Sequence, residues 1–381
     1  MKRALMYASV VSMIQQFNME NIRILRKLGY EVDVACNMEA GSTTTNENIE
    51  KMVTELETIG VRVFHIPVPR KITAVGQILK AYKVTKALLK DQKYDLIHCH
   101  SPIGGMICRL ANRFCGKYGN ARMIYTAHGF HFFKGAPKKN WLMFYPVERL
   151  CSGYTDVLIT INKEDYELAR RRMKAKHVEY VPGVGIDLSR FVPSKAASNN
   201  HMGRKKIILL SVGELSNRKN HQVVFHALSR LNHENIKYYI CGTGDLKEEL
   251  LQLISSLELD DCVELLGYRN DVANWYGQAD IFVFPSKQEG LPVALMEAIA
   301  CEVPVVCSNI RGNTDLIQNK KFLFDPMDAD GLTEILRTLL QDSVGSDIKS
   351  RLKQETQHNR LLLERYSVSN VNQQMQQIYD D

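Results

Sequence analysis

The chain has 381 residues, 45% hydrophobic and 24% charged, with 49 Lys+Arg against 42 Asp+Glu for a net charge of +7. That length suits two domains of roughly 150–200 residues, and the composition excludes a disordered or fibrous chain. No stretch reaches the ~18–20 uninterrupted apolar residues of a membrane span. Nine cysteines without Cys-x-x-Cys spacing argue against a disulfide framework or a cysteine zinc site; buried, reduced thiols in a cytoplasmic protein are expected.

In chain order, Lys2-Arg3 and the apolar run 4–14 have the outline of a short secretory signal. A helical segment and a second apolar run follow at once, so a buried strand over 3–8 is predicted instead. Further strands are predicted near 31–36, 61–66, 95–99, 122–127, 156–161 and 178–181, separated by helices near 16–29, 47–59, 75–92, 104–116, 140–152 and 163–172. The second half repeats the alternation, with strands near 206–212, 237–241, 262–266, 280–284, 304–307 and 322–324. Alternation of this kind predicts parallel sheets covered by helices on both faces, an α/β protein of two doubly wound, Rossmann-like domains. The expected division is 1–192 as the first domain, a polar linker over 193–206 and 207–366 as the second. A last helix within 367–381 is expected to pack back on the first. Ligands of such sheets collect at the carboxyl ends of the strands, and a cleft between the domains is the expected place.

Charge is uneven: residues 1–195 hold 30 Lys+Arg against 17 Asp+Glu, the remainder 19 against 25. The two halves are therefore expected to face different partners. No nucleic-acid motif accompanies the basic half. An anionic membrane surface or a phosphorylated acceptor fits it.

The most informative segment is Phe-Pro-Ser-Lys-Gln-Glu-Gly-Leu-Pro-Val-Ala-Leu-Met-Glu-Ala-Ile-Ala-Cys, 284–301. A strand ends at Pro285, a loop carries Glu289 and Gly290, and Pro292 suits the first helical position because it misses no amide hydrogen. Free amides at that helix start favour an anion. Glu297 is the one charge in an otherwise apolar helix and needs a hydroxyl or cationic partner if buried.

Within strand–Pro-Ser-x-x-Glu-Gly-Leu-Pro–helix, the pair Glu289 and Glu297 resembles the E-x7-E signature of retaining GT-B glycosyltransferases of family GT4. The resemblance implies that Glu289 contacts the transferred sugar, Glu297 the ribose, and the amides of Gly290 and Leu291 the diphosphate. Leu209 to His221 resembles the first strand and loop of the family's donor domain. There Gly213 forms the turn and Lys219 matches the family lysine. Glu214 stands where the family has an arginine, and Arg218 is expected to supply the missing charge. Gly242-Thr-Gly244 resembles the pair lining the donor cleft, since the third glycine of a dinucleotide fingerprint is missing. The run through Leu266, Tyr268 and Arg269 resembles the segment whose backbone holds the nucleobase. His128, in Tyr125-Thr-Ala-His-Gly-Phe-His-Phe-Phe-Lys134, matches the family's active-site histidine. Ser9-Val-Val-Ser12 replaces the glycine pair of its first loop.

The resemblance covers nearly the whole chain and is nearest to bacterial exopolysaccharide and capsular polysaccharide glycosyltransferases. It implies retaining transfer of a hexosyl or N-acetylhexosaminyl group from a nucleotide-diphosphate sugar, UDP-linked in the subgroup, to a glycan or polyprenyl-diphosphate-linked acceptor. The donor is a substrate, and no cofactor or metal is expected. His98-Cys-His100 share a strand face, but no third metal ligand is evident. The lysines at 80, 83, 86, 90 and 93 form a helical stripe, and Lys134, Lys138 and Lys139 interleave with Phe130, Phe132, Phe133 and Trp141. These are either solvated faces or a dock on the inner face of the cell membrane. Three other readings stay open: a UDP-GlcNAc 2-epimerase-like GT-B isomerase, an NAD-dependent oxidoreductase, and a non-catalytic nucleotide-sugar-binding protein.

Overall fold

A computed structural model describes residues 1–39, 46–116, 121–193, 206–231, 234–341 and 348–381. They form two compact units, 1–184 with 369–381, and 185–368.

The first unit holds seven strands: β1 (Arg3–Val10), β2 (Glu31–Asn37), β3 (Arg62–His65), β4 (Leu96–His100), β5 (Arg122–Ala127), β6 (Val157–Thr160) and β7 (His177–Tyr180). All pairings are parallel, in the order β3-β2-β1-β4-β5-β6-β7. The order reverses between β1 and β4, which makes that point the natural ligand crevice of the unit. Residues 4–8 are fully buried in the middle of this sheet. Successive residues face opposite layers, as a pleated strand requires. Ala4, Met6 and Ala8 join one core with the helix Met19–Lys27, while Leu5 and Tyr7 join the other with the helices Val75–Gln92 and Pro102–Arg113. The helix Val368–Asp380 contributes Val371, Met375, Ile378 and Tyr379 to the first core.

The second unit holds β8 (Ile207–Val212), β9 (Ile236–Cys241), β10 (Val263–Gly267), β11 (Ile281–Phe284), β12 (Val305–Ser308) and β13 (Leu323–Phe324). Its parallel order is β10-β9-β8-β11-β12-β13, with the reversal between β8 and β11.

Three local expectations are corrected. The helix expected over 16–29 is two, Val11–Phe17 and Met19–Lys27. They are divided at Asn18, which is buried and turns its side-chain amide back to the Met13 carbonyl at 2.9 Å. Residues 185–192, counted with the first half from sequence, group with the second unit. There the Ile186 amide donates to the Tyr366 carbonyl and Phe191 packs edge-on against Tyr276. Pro292 sits one position before the helix Val293–Ala300, as its N-cap, rather than inside it. The expected linker, apart from its first and last residues, lies outside the described residues.

All nine cysteines are buried and unpaired. Among the described residues, no helix is long and apolar enough to cross a membrane.

Candidate active site

The loops after β8 and β11 flank the reversal point of the second sheet, and each carries part of the expected donor site. The β8 loop turns at Gly213 and delivers Arg218 and Lys219. The β11 loop delivers Glu289, Gly290 and Leu291 ahead of the helix Val293–Ala300. The two loops are tied by the amide of Asn220, which donates to the Pro285 carbonyl at 3.1 Å and to the Pro326 carbonyl at 2.8 Å. The Lys287 amide also donates to the Arg218 carbonyl at 2.8 Å.

Both cations converge on one oxygen. Arg218 Nη1 lies 2.9 Å and Lys219 Nζ 2.8 Å from Glu289 Oε1. Glu289 is 9% exposed. Lys219 is sheltered too: its ammonium stands 4.7 Å from the centre of the Phe284 ring, and its methylene chain fills the space beside Gly213. Glu214 lies at the more open edge, 3.9 Å from Arg218. Gly242 passes so close beneath Gly213 that a Cβ built on it would stand 1.8 Å from the Gly213 carbonyl oxygen. A backbone approach of that kind admits only glycine. Gly244 approaches the backbone of Leu215 in the same way.

Glu297 is partly buried one turn into its helix and accepts a 2.9 Å hydrogen bond from the Tyr276 hydroxyl. Burial raises its carboxyl above the ordinary value, against the hydrogen bond from Tyr276 and the charge of Arg190. Gly267 faces Gly242, accepting its amide hydrogen at 2.8 Å. Leu266 is partly exposed and Tyr268 is 75% exposed. Arg269 is engaged by both oxygens of Asp271 at 2.8 Å and lies 5.5 Å from the Trp275 ring centre, so its side chain belongs to the turn.

In the first unit a cavity of about 260 Å³ opens at the β1/β4 reversal. Its walls include Ser9 and Val10 from the end of β1, Ser101 and Ile103 after β4, and Ile72 and Phe144. Ser101 holds φ 69°, a conformation that costs a non-glycine residue energy, and its hydroxyl is buried without a partner. Ser9 Oγ accepts the Gly104 amide at 3.0 Å, and the expected first loop is otherwise replaced by a helix starting at Val11.

His128 follows β5 and is partly exposed. Its Nε2 lies 3.1 Å from Nδ1 of His100 at the end of β4. His98 packs against His100 with ring centres 4.2 Å apart and planes tilted by 41°, and binds the Tyr379 hydroxyl at 2.7 Å and Thr126 Oγ1 at 2.8 Å. Burial pushes His128 down to about 4 and His98 to about 3, and drives His100 well below its usual value. Burial thus favours the neutral form of all three rings. Among the described residues no group of three His, Cys, Asp or Glu could hold a metal ion.

Comparison with known proteins gives this geometry a context. The family description "Glycosyl transferases group 1" matches residues 195–359, and "Glycosyltransferase Family 4" matches residues 15–190. A Bacillus subtilis relative described as "Putative glycosyltransferase EpsD" is 32% identical over 327 residues, covering 84% of this chain and 81% of its own. The chain belongs to glycosyltransferase family 4.

An Escherichia coli relative of this glycosyltransferase, described as a UDP-Gal:α-D-GlcNAc-diphosphoundecaprenol α-1,3-galactosyltransferase, is 27% identical over 349 residues, covering 88% and 86% of the two chains. Solved structures of similar fold include sucrose-phosphate synthase from Thermosynechococcus elongatus, at TM-score 0.75 and 18% identity over 100% and 98% of the chains. Anabaena HepE in complex with UDP and glucose has TM-score 0.75 and 17% identity over the whole of both chains. These likenesses and the two parallel-sheet units are those of the GT-B fold.

Within the glycosyltransferase, Gly213, Arg218, Lys219, Gly242, Gly244, Glu289, Gly290 and Leu291 come from loops at the carboxyl ends of β8, β9 and β11. His128 stands in the first unit. Sequence reasoning missed two supporting residues. Tyr276, which holds Glu297, leaves no signal in the sequence. His100 left one, the shared strand face with His98, which had been weighed only as a metal motif.

Proposed function

We propose that this glycosyltransferase transfers a hexosyl or N-acetylhexosaminyl group, with retention, from a UDP-sugar to a polyprenyl-diphosphate-linked acceptor in bacterial polysaccharide assembly. The observation that carries the reading is the meeting of Arg218 and Lys219 on Glu289 at the β8/β11 reversal, beside the start of the helix Val293–Ala300, whose N-cap Pro292 supplies no side-chain cap to its first amides. A bound diphosphate would draw on those cations and amides, leaving Glu289 to face the sugar. Each charge-assisted hydrogen bond to the leaving diphosphate is worth about 1.5–3 kcal/mol, and such bonds strengthen as the diphosphate departs. Arg218 then supplies the charge that Glu214 does not. Glu297 accepts from the ribose.

In this reading the bond from the anomeric carbon to the diphosphate oxygen breaks while the acceptor oxygen bonds to the same face, and the acceptor proton passes to the departing phosphate. No side chain needs to be a strong base, and placement of the two substrates supplies most of the rate. The acceptor side falls to the cavity at the β1/β4 reversal, whose Ile72, Ile103 and Phe144 walls suit an apolar chain. The names of relatives favour this donor and acceptor, since the E. coli relative is described with both UDP-galactose and a diphosphoundecaprenol acceptor.

Access to a lipid-linked acceptor would come from an anionic bilayer. The exposed Leu79 lies on the helix that carries the exposed Lys80, Lys83 and Lys90, and the exposed Leu142 and Met143 lie on the helix that carries the exposed Lys138 and Lys139. The aromatic part of the expected dock is narrower than its sequence indicates, because Phe130 and Phe132 are buried and stacked on each other at 4.7 Å. Vesicles with and without anionic lipid test the dock by flotation. Equal binding to both refutes it.

A thermal-shift panel of UDP-, GDP- and ADP-sugars tests the donor, because a ligand stabilises the fold by an amount that grows with the logarithm of its affinity. UDP-sugars are expected to raise the melt most, and no shift with any of them overturns the assignment. The Glu289→Ala variant should lose turnover with acceptor present. Conversion of the donor without acceptor would instead mark an isomerase.

A further inference from the structure

Asn220 follows Arg218 and Lys219 directly, and two independent demands meet at it. The first is conformational. Its φ is 57°, in the left-handed region, and the amides of Lys219 and Asn220 both turn back to the Ser216 carbonyl, at 3.0 and 3.2 Å, before the helix Gln222–Leu228 begins. Glycine enters that region freely and asparagine at modest cost, whereas most residues resist it. The second demand is chemical. Asn220 is 3% exposed, and its side-chain amide donates to the carbonyls of Pro285 and Pro326, at 3.1 and 2.8 Å.

Those carbonyls lie just past the ends of β11 and β13, so one short side chain joins three loops at the carboxyl edge of the second sheet. Two carbonyl acceptors call for the NH2 group with its two hydrogens, which fixes the orientation of the amide. Glycine would meet the first demand and not the second. Aspartate would keep the shape, but its carboxylate offers the carbonyls no hydrogen.

The consequence falls on the two residues before it. Arg218 and Lys219 reach across to Glu289 Oε1 on the β11 loop, and the Lys287 amide donates to the Arg218 carbonyl at 2.8 Å. Both cations ride on long side chains that lose rotamer freedom when they are fixed. A loop already held in place removes part of the ordering cost from the binding of an anion.

We propose that Asn220 is a positioning residue for the donor's diphosphate: by tying the β8 loop to the loops after β11 and β13, it holds Arg218 and Lys219 where one diphosphate meets both. The identity of the ligand rests on the donor reading above, and the tie rests on the hydrogen bonds alone.

Hydrogen exchange on the full chain reads the tie. In the wild type the Lys287 amide should be protected, and exchange at the rate of a free loop amide overturns the proposal without any variant. Asn220→Gly accepts the left-handed turn and removes both side-chain bonds. In that variant Lys287 should exchange about tenfold faster or more, through local opening. The Phe282 amide, bonded to the Pro304 carbonyl at 2.8 Å inside the sheet, should keep its rate. Equal acceleration of both amides marks a loss of global stability and overturns the positioning role. Calorimetric titration with inorganic pyrophosphate and with UDP reads the consequence. Asn220→Gly should bind each about tenfold more weakly, the equivalent of roughly one charge-assisted hydrogen bond. Unchanged affinity for both refutes the role. If the tie behaves as stated but the wild type binds neither pyrophosphate nor UDP, the donor reading fails and the tie stands.

Discussion

Glu148→Ala should be among the most destabilising single changes in the first unit. Arg109 is fully buried, and the Glu148 carboxylate is its counter-charge: Nη1 lies 2.7 Å and Nη2 3.2 Å from the two carboxylate oxygens. Burial works against the guanidinium charge, and the carboxylate beside it raises its pKa above the usual value all the same. Two further contacts survive the substitution. Nε donates to the Gly105 carbonyl at 3.0 Å, and the guanidinium lies 3.9 Å from the centre of the Tyr125 ring. Neither supplies a negative charge, so the variant buries an uncompensated cation, which costs about 3–5 kcal/mol. For a unit of this size that amounts to a fall in melting temperature of about 6–20 °C. Urea titration and calorimetry of the full chain measure both. The double replacement Arg109→Met with Glu148→Leu should recover most of the loss, because an apolar pair of similar volume needs no desolvation. A cost below about 1 kcal/mol for Glu148→Ala, or a double variant as unstable as the single, would refute the reasoning.

Two further outcomes are expected. Burial raises the Glu297 carboxyl, so the folded state holds its proton to higher pH than the unfolded state does. The stability linked to this group is therefore fully present below the unfolded carboxylate pKa and is lost as pH rises through the folded one. Glu297→Gln should flatten that decline in urea titrations from acid to neutral pH while weakening the UDP-dependent thermal shift, and an unchanged pH slope would contradict the assigned cause. Gly242→Ala forces a Cβ to within 1.8 Å of the Gly213 carbonyl oxygen, an overlap that costs about 1–3 kcal/mol and should abolish the response to UDP. A variant that melts and binds UDP as the parent does would show that the two loops can part without consequence.

The positions of the strands were legible because a parallel strand buried on both faces is written as a short continuous apolar run. Runs such as 206–212 and 280–284 return as β8 and β11 with shifts of a residue at most. The break at Asn18 was not legible, because the apolar spacing runs through it and only the turn of its side chain to Met13 divides the helix. The separation of Glu289 from Glu297 is a local spacing on one loop and helix, so it could be read. That Arg218 and Lys219 close on Glu289 could not, since about 70 residues intervene.

By itself, then, the sequence determined the kinds of elements, their order and the spacing of Glu289 from Glu297, all of which depend on neighbours a few residues apart. The tertiary structure alone decided the order of strands in each sheet, and with it which loops stand at the reversals. It brought His100 beside His128 by pairing β4 with β5 so that His100 lies opposite Thr126, and it set Tyr379 of the last helix behind them. The physical reason is one of range. Local spacing selects helix or strand, while hydrogen-bond partners far apart in the chain are chosen only when the sheets assemble and their faces are buried.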